Sequence, residues 1–158
     1  MPFASNLLRP ASYKRADFLF SNLEGLKRIA QQVEPFQLIY TAKAHPPDEA
    51  GKAVIRRIFE LIAAAEDILP IACIENYDMC RGELIRSGVD VWLNTPHRPY
   101  EASRTSGMKT ALNGVPSWSV TDGWWREGQV EGAKGWDIGD EEIPDSPEEE
   151  IASLHHKL

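Results

Sequence analysis

The sequence predicts an α/β fold in which helices flank one parallel sheet. Short apolar runs of strand type alternate with amphipathic segments of helical period along most of the chain. With 158 residues, 42% of them hydrophobic, the chain suits one domain with a core of ordinary size. The runs lead into polar or turn-rich loops, KAHPPD, ENYD, NTPHRPYEAS and DGWW. Parallel strands joined by right-handed crossovers bring such loops to one edge, where sheets of this Rossmann-like kind bind ligands.

The elements follow in order. From Tyr13 to Val33 the apolar positions Leu19, Leu23, Leu26, Ile29 and Val33 recur at three- and four-residue intervals, which predicts one helix ended by Pro35. FQLIYT, residues 36–41, is a strand. In KAHPPDEAG, Asp48 is placed to turn or cap the chain, and a second helix runs to about Ala65, burying Val54, Ile58, Leu61 and Ile62. ILPIACIE ends in a strand, a short helix covers Met79 to Ser87, and VDVWLN is the next strand. After the loop containing Glu101 come a helix around Lys109 and a strand in VPSWSVTD.

Charge is unevenly placed. Residues 1–136 carry 16 basic and 16 acidic side chains, whereas DIGDEEIPDSPEEE, residues 137–150, holds eight acids and no base, and Lys157 brings the net charge to −7. The sequence thus divides into a neutral body, 1–136, and an acidic, partly disordered tail, 137–158. A neutral body without a basic stripe argues against a nucleic-acid partner. No stretch approaches the roughly 18–20 apolar residues of a membrane span, and no signal peptide is evident, so the expected compartment is the cytoplasm. Cys73 and Cys80 lack metal-site spacing and read as reduced thiols. Phosphate-loop, GxGxxG, GxSxG and HExxH motifs are absent, and His155 and His156 lie in the tail.

The stretch EASRTSGMKTALNG, residues 101–114, sets one lysine, Lys109, behind a loop of small and hydroxylated residues. Taken with RPASYKRADFLF, AKAHPPDEAGKAVIRRI, ENYDM, GVDVWLNTPHRPY, DGWWREG and GWDIG, in that order, it resembles the C-terminal catalytic domain of the α-glucan (glycogen, starch and maltodextrin) phosphorylases. The resemblance covers roughly residues 9–140 and is nearest the shorter bacterial and archaeal branch.

The resemblance implies one lobe of a two-lobed glycosyltransferase architecture (GT-B type) and a pyridoxal 5′-phosphate cofactor carried on Lys109. Thr105, Ser106 and Gly107 match the turn that meets the cofactor phosphate, and Tyr77 matches an aromatic lining the cofactor pocket. Arg9 and Lys14 match the cations that hold the substrate phosphate, with Tyr13 beside them. Glu101 and Ser103 match groups that bind hydroxyls of the glucosyl unit. The implied reaction is cleavage of an α-1,4-glucan end by orthophosphate, giving α-glucose 1-phosphate. The implied partners are the glucan, orthophosphate, an N-terminal lobe that this chain lacks, and a second copy in a homodimer. Trp124 and Trp125 suit either sugar stacking or packing.

Two residues depart from the family pattern: Arg104 stands at a glycine position and Leu8 at a cation position. Catalysis by phosphorylases needs both lobes closed around the reactants, so the isolated chain is expected to be inactive. Two alternatives to the phosphorylase reading are a non-catalytic remnant serving as an interaction domain and a lobe of a nucleotide-sugar-dependent glycosyltransferase.

Overall fold

The computed structural model describes residues 3–7, 12–32, 36–101, 103, 105–128, 135–139, 148 and 151–152. Six strands form one sheet: β1 (Phe3–Leu7), β2 (Gln37–Thr41), β3 (Ile71–Ile74), β4 (Val91–Asn94), β5 (Ser117–Val120) and β6 (Gly135–Ile138). Every neighbouring pair is parallel. Their order is β3-β2-β1-β4-β5-β6, the doubly wound arrangement in which the chain reverses its direction of travel between β1 and β4.

The connecting helices are α1 (Leu23–Gln32), α2 (Glu49–Ala64), α3 (Met79–Gly88), α4 (Thr105–Leu112) and α5 (Trp124–Gly128). Asp48 starts α2 as anticipated: its carboxylate accepts the Gly51 N–H at 2.8 Å and satisfies one donor of the first turn. Asp78 does the same for α3, accepting from the Arg81 N–H at 2.8 Å. That backbone bond, with the Arg81 guanidinium close by, holds the Asp78 carboxyl below its usual value.

Alternation along the strands distributes the core over both faces of the sheet. Leu38 and Tyr40 of β2, Leu93 of β4 and Trp118 and Val120 of β5 belong to the larger cluster, with Phe18, Leu19, Phe20, Leu26, Ile29, Ile58 and Leu61. Ile58 and Leu61 of α2 are buried there, with Val54 and Ile62 packed against the cluster. On the other face, Trp92 packs with Ile85, Val89 and Val115, against Ile39 and Ile74. Gly135 belongs to a tight contact at β6. A Cβ there would stand 2.6 Å from the Ser117 carbonyl and 2.4 Å from the Trp125 ring.

Three features differ from the sequence-based expectation. The helix foreseen from Tyr13 to Val33 is divided into 3-10 turns at Ser12–Lys14 and Phe18–Asn22, then α1. Arg15 adopts φ 43°, a left-handed conformation that an α-helix cannot continue through. Val33 lies outside the described residues. Strand β1 uses FASNL, where no strand was foreseen. Strand β6 places Asp137 and Ile138 in the sheet, past residue 136, and Ile138 is fully buried. Among the described residues, no helix is long and apolar enough to cross a membrane.

Candidate active site

Because all six strands run in one direction, the loops that follow them share one edge. The four loops KAHPPD, ENYD, NTPHRPYEAS and DGWW therefore lie where the sequence predicted. The site centres on the reversal of strand order, where β1 pairs with β4 through Ala4 and Val91 and through Ser5 and Trp92. Loops after two such strands leave in opposite directions and open a crevice between them.

Main-chain contacts bring the two loops together. The His97 N–H donates to the Tyr13 carbonyl. The Arg15 guanidinium donates through Nε to the Thr95 carbonyl and through Nη2 to the Pro96 carbonyl, both at 3.0 Å. Its Cζ lies 4.4 Å from the Phe18 ring centre, a favourable place for a cation. A left-handed backbone at a non-glycine residue costs on the order of 1–3 kcal/mol, and these contacts hold Arg15 in it.

The result is a short ion pair across the crevice. Lys14 Nζ donates to Glu101 Oε1 at 2.6 Å, and the two side chains are 12% and 10% exposed. Ion pairs such as Arg57–Glu60, at 59% and 66%, lie in solvent by contrast. Tyr13 is half-buried, its ring centre 5.8 Å from the Lys14 amine. A cation and a carboxylate foreseen to bind separate groups of a substrate are here direct partners.

Beside this pair, Ser103 is exposed in the bend that leads to α4. Thr105, Ser106 and Gly107 form the first turn of α4, whose leading N–H groups lack intrahelical acceptors. A Cβ at Gly107 would make only ordinary contact, 3.8 Å from the Trp124 ring, so packing within the chain does not demand glycine there. Lys109 is exposed one turn later. Thr105 and Ser106 stand four and three residues before it, on the same face of α4.

Tyr77 is held on α3, which packs against α4. Its hydroxyl accepts from Arg86 Nη1 at 2.8 Å, and its ring lies so close over Gly82 that a Cβ there would come 2.2 Å from the phenol oxygen. Asn76 before it takes φ 52°, a turn conformation that asparagine tolerates. Trp125 is buried and donates through Nε1 to Asp137 at 2.6 Å, so of its two earlier readings packing prevails. Arg9, Leu8 and Arg104 lie outside the described residues. Sequence reasoning missed Arg15 and Thr95, because their roles depend on a turn conformation and a partner loop about 80 residues away.

A six-stranded parallel sheet whose reversal point carries facing polar loops defines an α/β protein of Rossmann-like type. The carbohydrate phosphorylase profile matches residues 13–128, and the chain belongs to that family. It is 49% identical to a maltodextrin phosphorylase of Thermococcus litoralis over 143 residues, 90% of this chain and 17% of that protein. It is 46% identical to a glycogen phosphorylase of Aquifex aeolicus over 136 residues, 85% of this chain and 20% of the relative. A glycogen phosphorylase of Mycobacterium tuberculosis is 41% identical over 131 residues, 82% and 15% respectively. The chain thus spans between 15% and 20% of the length of these relatives.

Proposed function

We propose that the chain is the cofactor-bearing part of an α-glucan phosphorylase, one lobe of a two-lobed enzyme that cleaves α-1,4-glucan ends with orthophosphate to give α-glucose 1-phosphate. The observation that carries this reading is the meeting of Lys14 and Glu101, 87 residues apart, in the crevice at the sheet's reversal point. An anion and a neutral polyol bound side by side need such a pair of groups: a cation for phosphate and a carboxylate acceptor for sugar hydroxyls. Arg9 would add a second cation, and Tyr13 and Ser103 would complete the sugar side.

The residues of α4 fit pyridoxal 5′-phosphate. An exposed amine at Lys109 suits the aldehyde, and the open first turn at Thr105, Ser106 and Gly107 suits the phosphate. Gly107 supports this, since it leaves the turn unobstructed at a place where internal packing would accept a side chain. Tyr77 would flank the ring. When bound, the cofactor would supply a phosphate group that assists proton transfer to the substrate phosphate. The chain's own residues would hold the two phosphates together despite their repulsion, with cations and oriented N–H groups.

The complete reaction calls for the second lobe, and a homodimer is part of the proposal. The test is a titration with pyridoxal phosphate followed by borohydride reduction and peptide mapping. One adduct per chain at Lys109, lost in Lys109→Ala, is the expected result. A label spread evenly over Lys43, Lys52, Lys109 and Lys134 would reject the site and favour a non-catalytic remnant, a reading to which the exposure of Lys109 also lends itself.

A further inference from the structure

We propose that Arg15 is a positioning residue of this site: it binds no ligand, and its guanidinium clamps the loop after β1 to the loop after β4 so that Lys14 faces the crevice. The role assigned to Lys14 rests on the function proposed above, whereas the clamp rests on contacts within the chain alone.

Lys14 and Arg15 are consecutive cations, yet their surroundings differ. Lys14 reaches the opposing carboxylate with a single flexible amine. Arg15 uses donors on two of its nitrogens for the carbonyls of consecutive residues, Thr95 and Pro96, and stacks against Phe18. A planar guanidinium can satisfy two fixed main-chain acceptors at once, which an ammonium cannot do in the same geometry. Its charge is thereby directed into the protein and away from a ligand.

The placement of these acceptors gives the clamp its consequence. Thr95 and Pro96 directly follow β4, and both are buried. They fix the start of the loop that ends at Glu101. Arg15 adopts a left-handed backbone immediately after Lys14, so the same residue turns the chain and ties it down. The Thr95 hydroxyl lies 3.4 Å from the Lys14 and Arg15 carbonyls, and the His97 N–H bonds the Tyr13 carbonyl. Residues 13–15 are therefore laced to 95–97 on both sides of Lys14. Small displacements of a group that must meet a reacting phosphate are costly to catalysis, so a dedicated clamp has a clear use.

The experiment is residue-resolved acylation of lysines with an acetylating ester, read by mass spectrometry on the full chain. In the wild type, Lys14 should react at least about tenfold more slowly than the exposed Lys27 and Lys109, because it is enclosed and ion-paired. The variant Arg15→Met keeps an apolar stem over Phe18 and loses both carbonyl bonds. It should raise the Lys14 rate about five- to tenfold and leave Lys27 and Lys109 unchanged. Glu101→Gln supplies the reference rate for a Lys14 released from its partner.

An unchanged Lys14 rate in Arg15→Met would overturn the proposal. Equal acceleration of Lys14, Lys27 and Lys109 would overturn it too, since Arg15 would then merely hold the fold. Inorganic phosphate provides the separate arm. Slower acylation of Lys14 with phosphate in the wild type, and no such effect in Arg15→Met, supports the clamp as a positioning device. Absence of phosphate protection in the wild type would remove Lys14 from the anion site and overturn the functional role of the clamp, while the acylation rates still decide whether the clamp exists.

Discussion

Removal of one partner from the Lys14–Glu101 pair should cost far more than removal of both. Glu101→Leu leaves the Lys14 ammonium about nine-tenths enclosed without the carboxylate that stood 2.6 Å away. Breaking a fully buried pair in this way costs about 3–5 kcal/mol. Here each side chain keeps about a tenth of its exposure, so the ammonium regains some water and the expected loss falls to roughly 2–3 kcal/mol. The double variant Lys14→Met, Glu101→Leu removes the desolvated charges together, and its expected loss is within about 1 kcal/mol of the wild type. The coupling energy of the cycle is then about 2 kcal/mol or more, against about 0.2–1 kcal/mol for the solvent-exposed control pair Arg57–Glu60. Urea unfolding followed by tryptophan fluorescence, with midpoints converted at constant slope, measures all four corners. A Glu101→Leu loss below about 0.5 kcal/mol, on the order expected of surface pairs, would refute the argument that this pair is desolvated. So would a double variant as unstable as the sum of the single ones.

Other expectations concern packing, capping and titration. Gly135→Ala should destabilise by about 2–3 kcal/mol in urea, because its Cβ would meet the Ser117 carbonyl at 2.6 Å; Gly82→Ala, opposed by the movable end of Tyr77, should cost about 1–2 kcal/mol. Asp48→Ala should cost about 1 kcal/mol through loss of the cap on the Gly51 N–H, and Asp48→Asn should restore most of it. Burial, and to a smaller degree the Asp17 carboxylate, pushes the Tyr40 phenol well above its ordinary value. A group raised in the folded state supports folding fully below its unfolded value, near about 10, and that support falls as pH rises toward the folded value. Stability should therefore decline as pH rises above about 10, and Tyr40→Phe should flatten the decline. A variant with the same alkaline slope as the wild type would contradict that assignment.

Much of the sheet was legible because β2, β3, β4 and β5 are short apolar runs separated by amphipathic helices. Asp48 was legible as a cap because it precedes a helical apolar pattern. The segment after Tyr13 misled because Leu19, Leu23, Leu26 and Ile29 keep helical spacing across a break. One signal could have exposed it: Phe18, Leu19 and Phe20 are consecutive and all buried, which one stripe of an α-helix does not allow. Strand β1, FASNL, has no β-branched residue and owes its conformation to neighbours on both sides. Strand β6 contains Gly135 and an exposed Trp136, so its period was faint. In the site, resemblance supplied individual residue roles. That Lys14 and Glu101 face each other depends on strand order, and the clamp at Arg15 depends on a left-handed turn. Neither is a local property of the sequence.

The strand order also sets how cheaply distant residues meet. Pairing β1 with β2 joins residue 3 to residue 37, while pairing β1 with β4 joins residue 4 to residue 91. Closure entropy grows with the logarithm of the intervening length, so the longer connection costs only about 0.8 kcal/mol more. Recruiting Glu101 from so far along the chain thus adds less entropic cost than an ordinary helix cap restores. The chain can spend the whole interval between the two loops on a stable βαβ frame and still deliver both groups to one point. A protein with its first three strands assembled already has Lys14, but it has no crevice until the fourth strand docks.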